Sequence, residues 1–596
     1  MTARIVLECR QEEMVTQPRH IETDVLIIGG GGAGARAALA ARDAGLNTTM
    51  VVKGVLGKSG CSIFAGNLNY FAPPDEEQQA FSEVDEETRI KRTMGFLAKY
   101  THYLGDQEYM KDASEFTQRD FYPWIEKRGI YMLRDEKGDI VSDEPRHTQA
   151  WAAQMGMSGT LVMDMMRKLI LSGEIQLLEE TTATRLLLND GEVVGATALD
   201  FVRGQFYVIN AKAVILATGH SNFLSLRSTG TRDGSASGWV MAYEAGGQLQ
   251  NLEMQWYHAS DVAYPTTWMR LHMYPNPLPG TVHRSQLFNR NGELFFDGNW
   301  HQENPVPYIM QLKHLVKEIN KGKAEIEGGF YSNYRHVEPE VLRQNFYQTQ
   351  FAEKVGIDLT EEMYENGLTW HMNVGGVRVN GQTMETGVPG LLVAGSVGGL
   401  VTGGLPNVMY DGTVAAQTAA ERVHALGRLK ALNNEQVTAE RNRVYGLFRT
   451  EPGMGLLPGQ VKKRIRTAMW RHHNYIKTEE TMRTALDELR RIEEEDVPRM
   501  RLQTDTTRFN YDWVDALDAV DMLQALQLEV QFCLYRQESR GAFYREDYPN
   551  TDNENWLVHV VGRKGADGDL ALEKVPVDLP YARPDEAFAS FFDVDY

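Results

Sequence analysis

Three cysteines in 596 residues, Cys9, Cys61 and Cys533, are too few and too scattered for a disulfide framework, a zinc knuckle or an iron–sulfur cluster. No metal site is expected, and thiols used so sparingly fit a reducing compartment, so a cytoplasmic location is expected. Positive charge is also short. The 61 Lys and Arg stand against 81 Asp and Glu, a formal net charge of −20. A surface of that sign repels a phosphate backbone or an anionic bilayer, which argues against nucleic acid as a partner. Long apolar runs are missing too. Nowhere are there the ~20 uninterrupted apolar residues needed to span a membrane. The stretch from Met1 to His20 has none of the roughly 7–15 consecutive apolar residues of a secretory leader. A soluble protein is expected, with no internal repeat and no low-complexity tract.

A chain of this length exceeds one core, and roughly three or four folding units are expected. The first begins with Asp24-Val-Leu-Ile-Ile28, a buried-strand run that meets Gly29 to Gly32 and then an Ala-rich helical segment, Ala33 to Ala44. After Gly45 a second strand, Thr48 to Val52, completes a βαβ unit with its glycine-rich turn between strand and helix. Ala213-Val-Ile-Leu-Ala217 and Leu391-Leu-Val-Ala394 read as two more buried strands returning to the same parallel sheet. Between them the chain turns aromatic, Pro-rich and His-rich, without βαβ rhythm, as an inserted cap would. Beyond Asn433 apolar residues recur at three and four, in Met482, Leu486, Leu489 and Ile492 and again in Met522, Leu523, Leu526 and Val530, the mark of helices packing one face.

Gly29, Gly31 and Gly34 occupy the positions of G-x-G-x-x-G. These glycines permit a tight turn, close approach to a pyrophosphate and close helix–strand packing, with the helix N-terminus facing the phosphates. The acidic residue that often ends the second strand and binds ribose is absent. Val-Val-Lys53-Gly stands there, so Lys53 joins the candidate cofactor positions while ribose recognition stays unassigned.

Later segments make a resemblance specific. Ala217-Thr218-Gly219, Thr229-Gly-Thr-Arg-Asp233-Gly234, Val388-Pro-Gly-Leu-Leu-Val-Ala-Gly395 and Arg536-Gln-Glu-Ser-Arg-Gly-Ala-Phe-Tyr-Arg-Glu-Asp547-Tyr-Pro549 together resemble the flavoproteins of fumarate reductase, succinate dehydrogenase, aspartate oxidase and adenylylsulfate reductase. The motifs run in family order over nearly the whole chain. The resemblance implies FAD and an α/β fold: a Rossmann-like FAD-binding domain in two segments, 21–256 and 367–432, an inserted α+β capping domain over 257–366, and a C-terminal helical domain with an extended tail over 433–596. It adds Lys58, Ser59, Gly60, Gly66, Ser396 and Gly412 to the cofactor positions. Where covalent members carry a flavin-attaching histidine in R-S-H-T, this chain reads Lys58-Ser59-Gly60-Cys61, so the FAD is expected to be noncovalent. Ser396 replaces the family's Glu or Asp after the last strand.

On the substrate side, His258 in Glu253-Met-Gln-Trp-Tyr-His258 resembles E-x-x-Q-F-H, and His371 in His371-Met-Asn-Val-Gly375-Gly376 resembles H-x-x-x-G-G-I. In the family both imidazoles bind a substrate carboxylate beside the flavin. The two family arginine motifs are lost. The proton-transfer position falls on Thr281, leaving His283, Arg284 and Arg270 as its nearest candidates, and Gly403-Gly-Leu-Pro-Asn407-Val-Met-Tyr410-Asp411-Gly412 has no arginine. This argues against simple fumarate or succinate chemistry. The expected activity is hydride transfer between flavin and an organic, unsaturated or carboxylic, small-molecule substrate. The second reading is an adenylylsulfate-reductase-like subunit passing electrons to a separate iron–sulfur protein, and the third an electron-transfer subunit with no small substrate.

Overall fold

The apolar run that ends at Ile28 lies at the centre of the main sheet. A computed structural model of the chain describes residues 17–66, 68–69, 94–140 apart from 96, 137 and 139, 149–150, 152–153, 158–260, 286–297, 307–336, 354, 356, 358, 361–400, 404–448, 455–585 and 587–592. Strand β1 (Arg19–Ile28), helix α1 (Gly32–Asp43) and β2 (Thr48–Val51) form the expected βαβ unit, with β1 and β2 parallel. Helix α2 (Ser158–Leu171) leads into β3 (Ile175–Leu178), β4 (Thr181–Asn189), β5 (Glu192–Asp200) and β6 (Gln205–Leu216). The order across the sheet is β3-β2-β1-β6-β5-β4. β6 runs parallel to β1 along its length but antiparallel to β5 at its start, because the β4–β5–β6 meander turns back through tight loops.

The cap contributes β7 (Gln255–Ser260), β8 (Gln286–Asn289), β9 (Leu294–Asp297), helix α3 (Pro307–Asn320), β10 (Phe330–Asn333) and β11 (Tyr364–Asn373). Its five-stranded sheet has the order β7-β11-β10-β8-β9. The divisions drawn at 256/257 and 366/367 from composition fall within β7 and β11. Strand pairing is a long-range property that composition does not carry, so the cap shares two strands with the chain segments that enter and leave it.

The chain then returns as β12 (Leu391–Val393), parallel to the end of β6, and α4 (Leu405–Leu426). α4 lies on α1 at very short range: a β-carbon at Gly412 would stand 2.2 Å from the Ala33 carbonyl oxygen. After a helix at Asn434–Tyr445, the C-terminal segment carries α5 (Pro458–His472), α6 (Glu479–Arg491) and α7 (Tyr511–Tyr535). The apolar stripe of α6 is buried as expected. α7 is buried on most sides, carrying Asp518, Asp521 and Glu529 inward along with its apolar residues, so it is a core helix rather than a solvated one. The tail contains a hairpin, β13 (Val558–Lys564) with β14 (Leu570–Pro576), which pairs with the short strand Leu249–Gln250 just before the cap, and further on Phe588–Ser590 pairs with Asn550–Asp552. Among the described residues, no helix is long and apolar enough to cross a membrane.

Gly412 is therefore a packing position, and Gly412→Ala is expected to push α4 off α1 at a cost of about 1–3 kcal/mol. A lower melting temperature and a lower flavin-to-protein ratio after purification are the expected outcomes; both unchanged would show that the contact yields freely.

Candidate active site at the carboxyl edge of the sheet

Three strands end side by side. Ile28 of β1 is level with Leu216 of β6, and Leu216 with Val393 of β12. The Ala217 amide donates to Ile28 O at 2.7 Å, and the Ala394 amide to Leu216 O at 3.0 Å. Ligands of open α/β sheets bind in the crevice outside such carboxyl ends. Gly29, at φ +121°, could carry no side chain, since a β-carbon would stand 2.0 Å from Ala217 O, and one at Gly34 would stand 2.1 Å from Gly29 O. α1 and α4 both begin here, after Gly31 and Gly404, N-cap glycines that bring no capping side chain of their own, and the first amide of α1, Gly32, donates to the Ser62 hydroxyl at 3.0 Å. At Gly60, Gly66 and Gly219 nothing among the described residues lies within 4 Å of the β-carbon position. Two helix N-termini that open on glycine, a glycine turn and open space beside three more glycines fit a dinucleotide and its pyrophosphate.

The other expected cofactor positions divide. The Asp233 carboxylate accepts from the Gly60 amide at 3.3 Å, tying the loop after β6 to the loop after β2. Ser396 follows Gly395, and Thr218 lies at the exit of β6, both half-buried. Lys53 donates to Asp518 at 2.6 Å and Ser235 at 3.2 Å, binding the end of β2 to α7. Lys58 pairs with Asp164 at the surface, and the Ser59 hydroxyl donates to Val55 O.

His258 and His371 meet. Their ring centroids are 4.2 Å apart in an edge-on contact. Trp256 is paired with Met372 and Tyr257 with Trp370, so His371 is the extra residue of a β-bulge in β11. A bulge re-aims a side chain out of the regular alternation. His371 is further held by the loop after β6: Thr229 Oγ1 and His371 Nδ1 share a 2.7 Å hydrogen bond, and the Asn222 amide donates to His371 O. Beyond His371 the backbone runs hard against the crevice. β-carbons at Gly375 and Gly376 would stand 1.9 Å from Asn251 O and 2.3 Å from Val397 O, which is the physical content of the paired glycines in the motif. Arg270, Thr281, His283 and Arg284 lie outside the described residues.

Two features were not legible from motifs. The charges of the C-terminal signature are consumed internally: Arg536 donates to Glu253 at 2.7 Å and to Glu538 at 2.7 Å, and Arg540 donates to Glu538 at 2.8 Å, all fully or almost fully buried. Glu253 stands five residues before His258, so the tail signature anchors the approach to the site. Its R-x-E-x-R spacing is the signal, once the partner Glu253 is known. The second is Asp411 on α4, which accepts from the Tyr109 hydroxyl at 2.8 Å and the Gly395 amide at 2.9 Å. Burial pushes its carboxyl up to about 7, against the lowering effect of those two hydrogen bonds.

An unfolded aspartate titrates near about 3.9, so the native state holds this proton more tightly. Its contribution to stability is fully present below about pH 4 and is lost as pH rises through about 7. In Asp411→Asn that loss disappears. The variant's melting temperature relative to wild type is expected to climb between about pH 5 and pH 8; a difference constant with pH would contradict a shifted Asp411.

A family model described as FAD binding domain matches residues 24–406, and one described as fumarate reductase flavoprotein C-term matches 462–587. The chain is 26% identical over 553 residues to a fumarate reductase (CoM/CoB) subunit from Methanothermobacter marburgensis, covering 89% of this chain and 96% of that one. Among solved structures, E. coli quinol fumarate reductase FrdA superposes with a TM-score of 0.80 at 20% identity, covering 96% of this chain and 99% of that one. Adenylylsulfate reductase from Archaeoglobus fulgidus superposes with 0.75 at 20% identity, covering 96% and 98%. The crevice and the bulged histidine strand thus lie in an FAD-dependent oxidoreductase, and the chain belongs to the flavoprotein superfamily of fumarate reductase and succinate dehydrogenase.

Proposed function

We propose that this chain transfers hydride between FAD and an activated carbon–carbon bond of an organic acid or related polar substrate. The observation that carries the reading is the contact of His258 and His371, ring centroids 4.2 Å apart, where β11 runs onto the carboxyl end of β12. FAD, when bound, supplies hydride donation and acceptance. The chain's own residues hold the substrate. The 2.7 Å hydrogen bond with Thr229 engages His371 Nδ1. With the hydroxyl taken as donor, the ring proton stands on Nε2, the tautomer that donates to a carboxylate oxygen. His258, buried at 3% exposure, orients from the neighbouring strand. Arg270, His283 and Arg284 are the groups proposed to carry the proton, in place of the family's arginine.

In His371→Ala, FAD content is expected to match wild type, while reoxidation of the reduced flavin by a panel of unsaturated acids slows at least about 100-fold, the scale of a lost orienting contact. Unchanged reoxidation with every acid that serves the wild type would sink the assignment. The FAD is proposed to be noncovalent, because Gly60 stands where covalent members of the family carry the flavin-attaching histidine, and glycine has no side chain to form that bond. Acid precipitation should leave all the yellow colour in the supernatant; colour retained on the precipitate would contradict this.

Electrons are proposed to pass to a separate iron–sulfur chain. The support is the shortage of cysteine, three in the whole chain, and the naming of the M. marburgensis relative as one subunit of its enzyme. The same thiol economy supports a cytoplasmic location. The adenylylsulfate-reductase-like reading is favoured by the short segment from Gly403 to Gly412. Sulfite with AMP in the oxidative direction distinguishes it from the organic acids.

A further inference from the structure

Behind β7, on the face opposite His258, four side chains from three elements meet. Gln255 comes from the strand, His473 from the C-terminal end of α5, and Glu529 and Cys533 from one face of α7, a helical turn apart. All four are fully buried. His473 Nε2 lies 3.0 Å from Glu529 Oε1, 3.6 Å from Cys533 Sγ and 3.3 Å from the side-chain amide of Gln255, and Sγ lies 3.6 Å from Oε1.

As a hydrogen-bonding group this arrangement is overcommitted. One ring nitrogen has one hydrogen or one lone pair, enough for one of its three neighbours. Meanwhile His473 Nδ1, Glu529 Oε2 and Gln255 Oε1 have no hydrogen-bond partner among the described residues. Buried polar groups are ordinarily satisfied, and each that is not costs stability. As a ligand set the same distances fall into place. Bonds of about 2.3 Å to sulfur and about 2.0–2.1 Å to nitrogen and oxygen, set tetrahedrally, put N and O roughly 3.3 Å apart and S roughly 3.5 Å from either. A half-turn of the Gln255 amide exchanges its nitrogen for its oxygen, which then stands 3.3 Å from His473 Nε2.

We propose that His473, Glu529, Cys533 and the Gln255 amide oxygen bind one divalent transition-metal ion with zinc-like preference for a tetrahedral N, O, S set. The ion displaces the thiol proton to solvent, and the thiolate and the Glu529 carboxylate neutralise its two charges. With four protein ligands the site is closed and structural rather than catalytic. It ties α5 and α7 to β7 three residues before His258. Lys477, buried over the Tyr257 ring at 5.5 Å, also faces Glu529 and Cys533, and burial lowers its pKa. Glu253 and Tyr257 are further ionisable groups whose titration is linked to that of Cys533. The ligands come from residues 255 to 533, and for that reason no cysteine or histidine spacing in the sequence announces them.

The FAD-loaded protein, incubated with zinc and desalted, is measured by inductively coupled plasma mass spectrometry and by X-ray absorption at the zinc edge. The expected result is about one zinc per chain with a single sulfur neighbour near about 2.3 Å. Cys533→Ser and His473→Asn are each expected to lose the metal while keeping FAD. Should either variant fail to fold, wild type answers alone: a strong chelator should lower its melting temperature, and zinc should restore it. Zinc well below one per chain after incubation, a coordination shell without sulfur, or metal retained by both variants would overturn the site.

Discussion

Gly29 has no room for a β-carbon. Its backbone lies so close to Ala217 that one would stand 2.0 Å from the carbonyl oxygen, and this approach holds the ends of β1 and β6 together at the edge where β12 also stops. The consequences propagate outward. Two helices start at that edge after glycines, and Gly412 lets one helix lie on the other. The loop after β6, which supplies Thr229 and Asn222, then reaches the bulge in β11 and sets the direction of His371. Binding of a phosphate-bearing cofactor and placement of the imidazoles thus share one cause, the absence of side chains where backbones cross.

A second layer of constraint is ionic. Arg536, Glu253, Glu538 and Arg540 form a buried, paired set between the C-terminal tail and the segment that enters β7. Replacing such a set by apolar residues need not cost stability, but removing one member strands a buried charge. Its effect here is positional: the tail hairpin, the strand Leu249–Gln250 and the approach to His258 are held together. A signature some 280 residues away in sequence is thereby tied to the strand that carries His258.

The first βαβ unit, the strands at Ala213–Ala217 and Leu391–Ala394 and the helical C-terminal segment were legible because each is written locally, in apolar runs, glycine turns and three-four periodicity. The histidine pair was legible only through resemblance. Nothing local in Trp256–His258 or Trp370–Met372 announces the bulge that brings the rings together, since a bulge depends on two strands at once. Asp411 was hidden for the same reason: its partners, Tyr109 and the Gly395 amide, lie 302 and 16 residues away. Lys53 and Lys58 stand among the expected cofactor positions, and their ammonium groups pair with Asp518 and Asp164. Charge pairing across the fold is invisible to a linear reading.

The bulge in β11 and the crevice at the strand ends are proposed to form one site. A crystal structure of the FAD-loaded protein with a bound dicarboxylate is the deciding measurement. The isoalloxazine ring is expected in the crevice, with the dicarboxylate between it and the rings of His258 and His371. A dicarboxylate or flavin ring bound on another face, with both histidines enclosed by protein and touching neither, would contradict it.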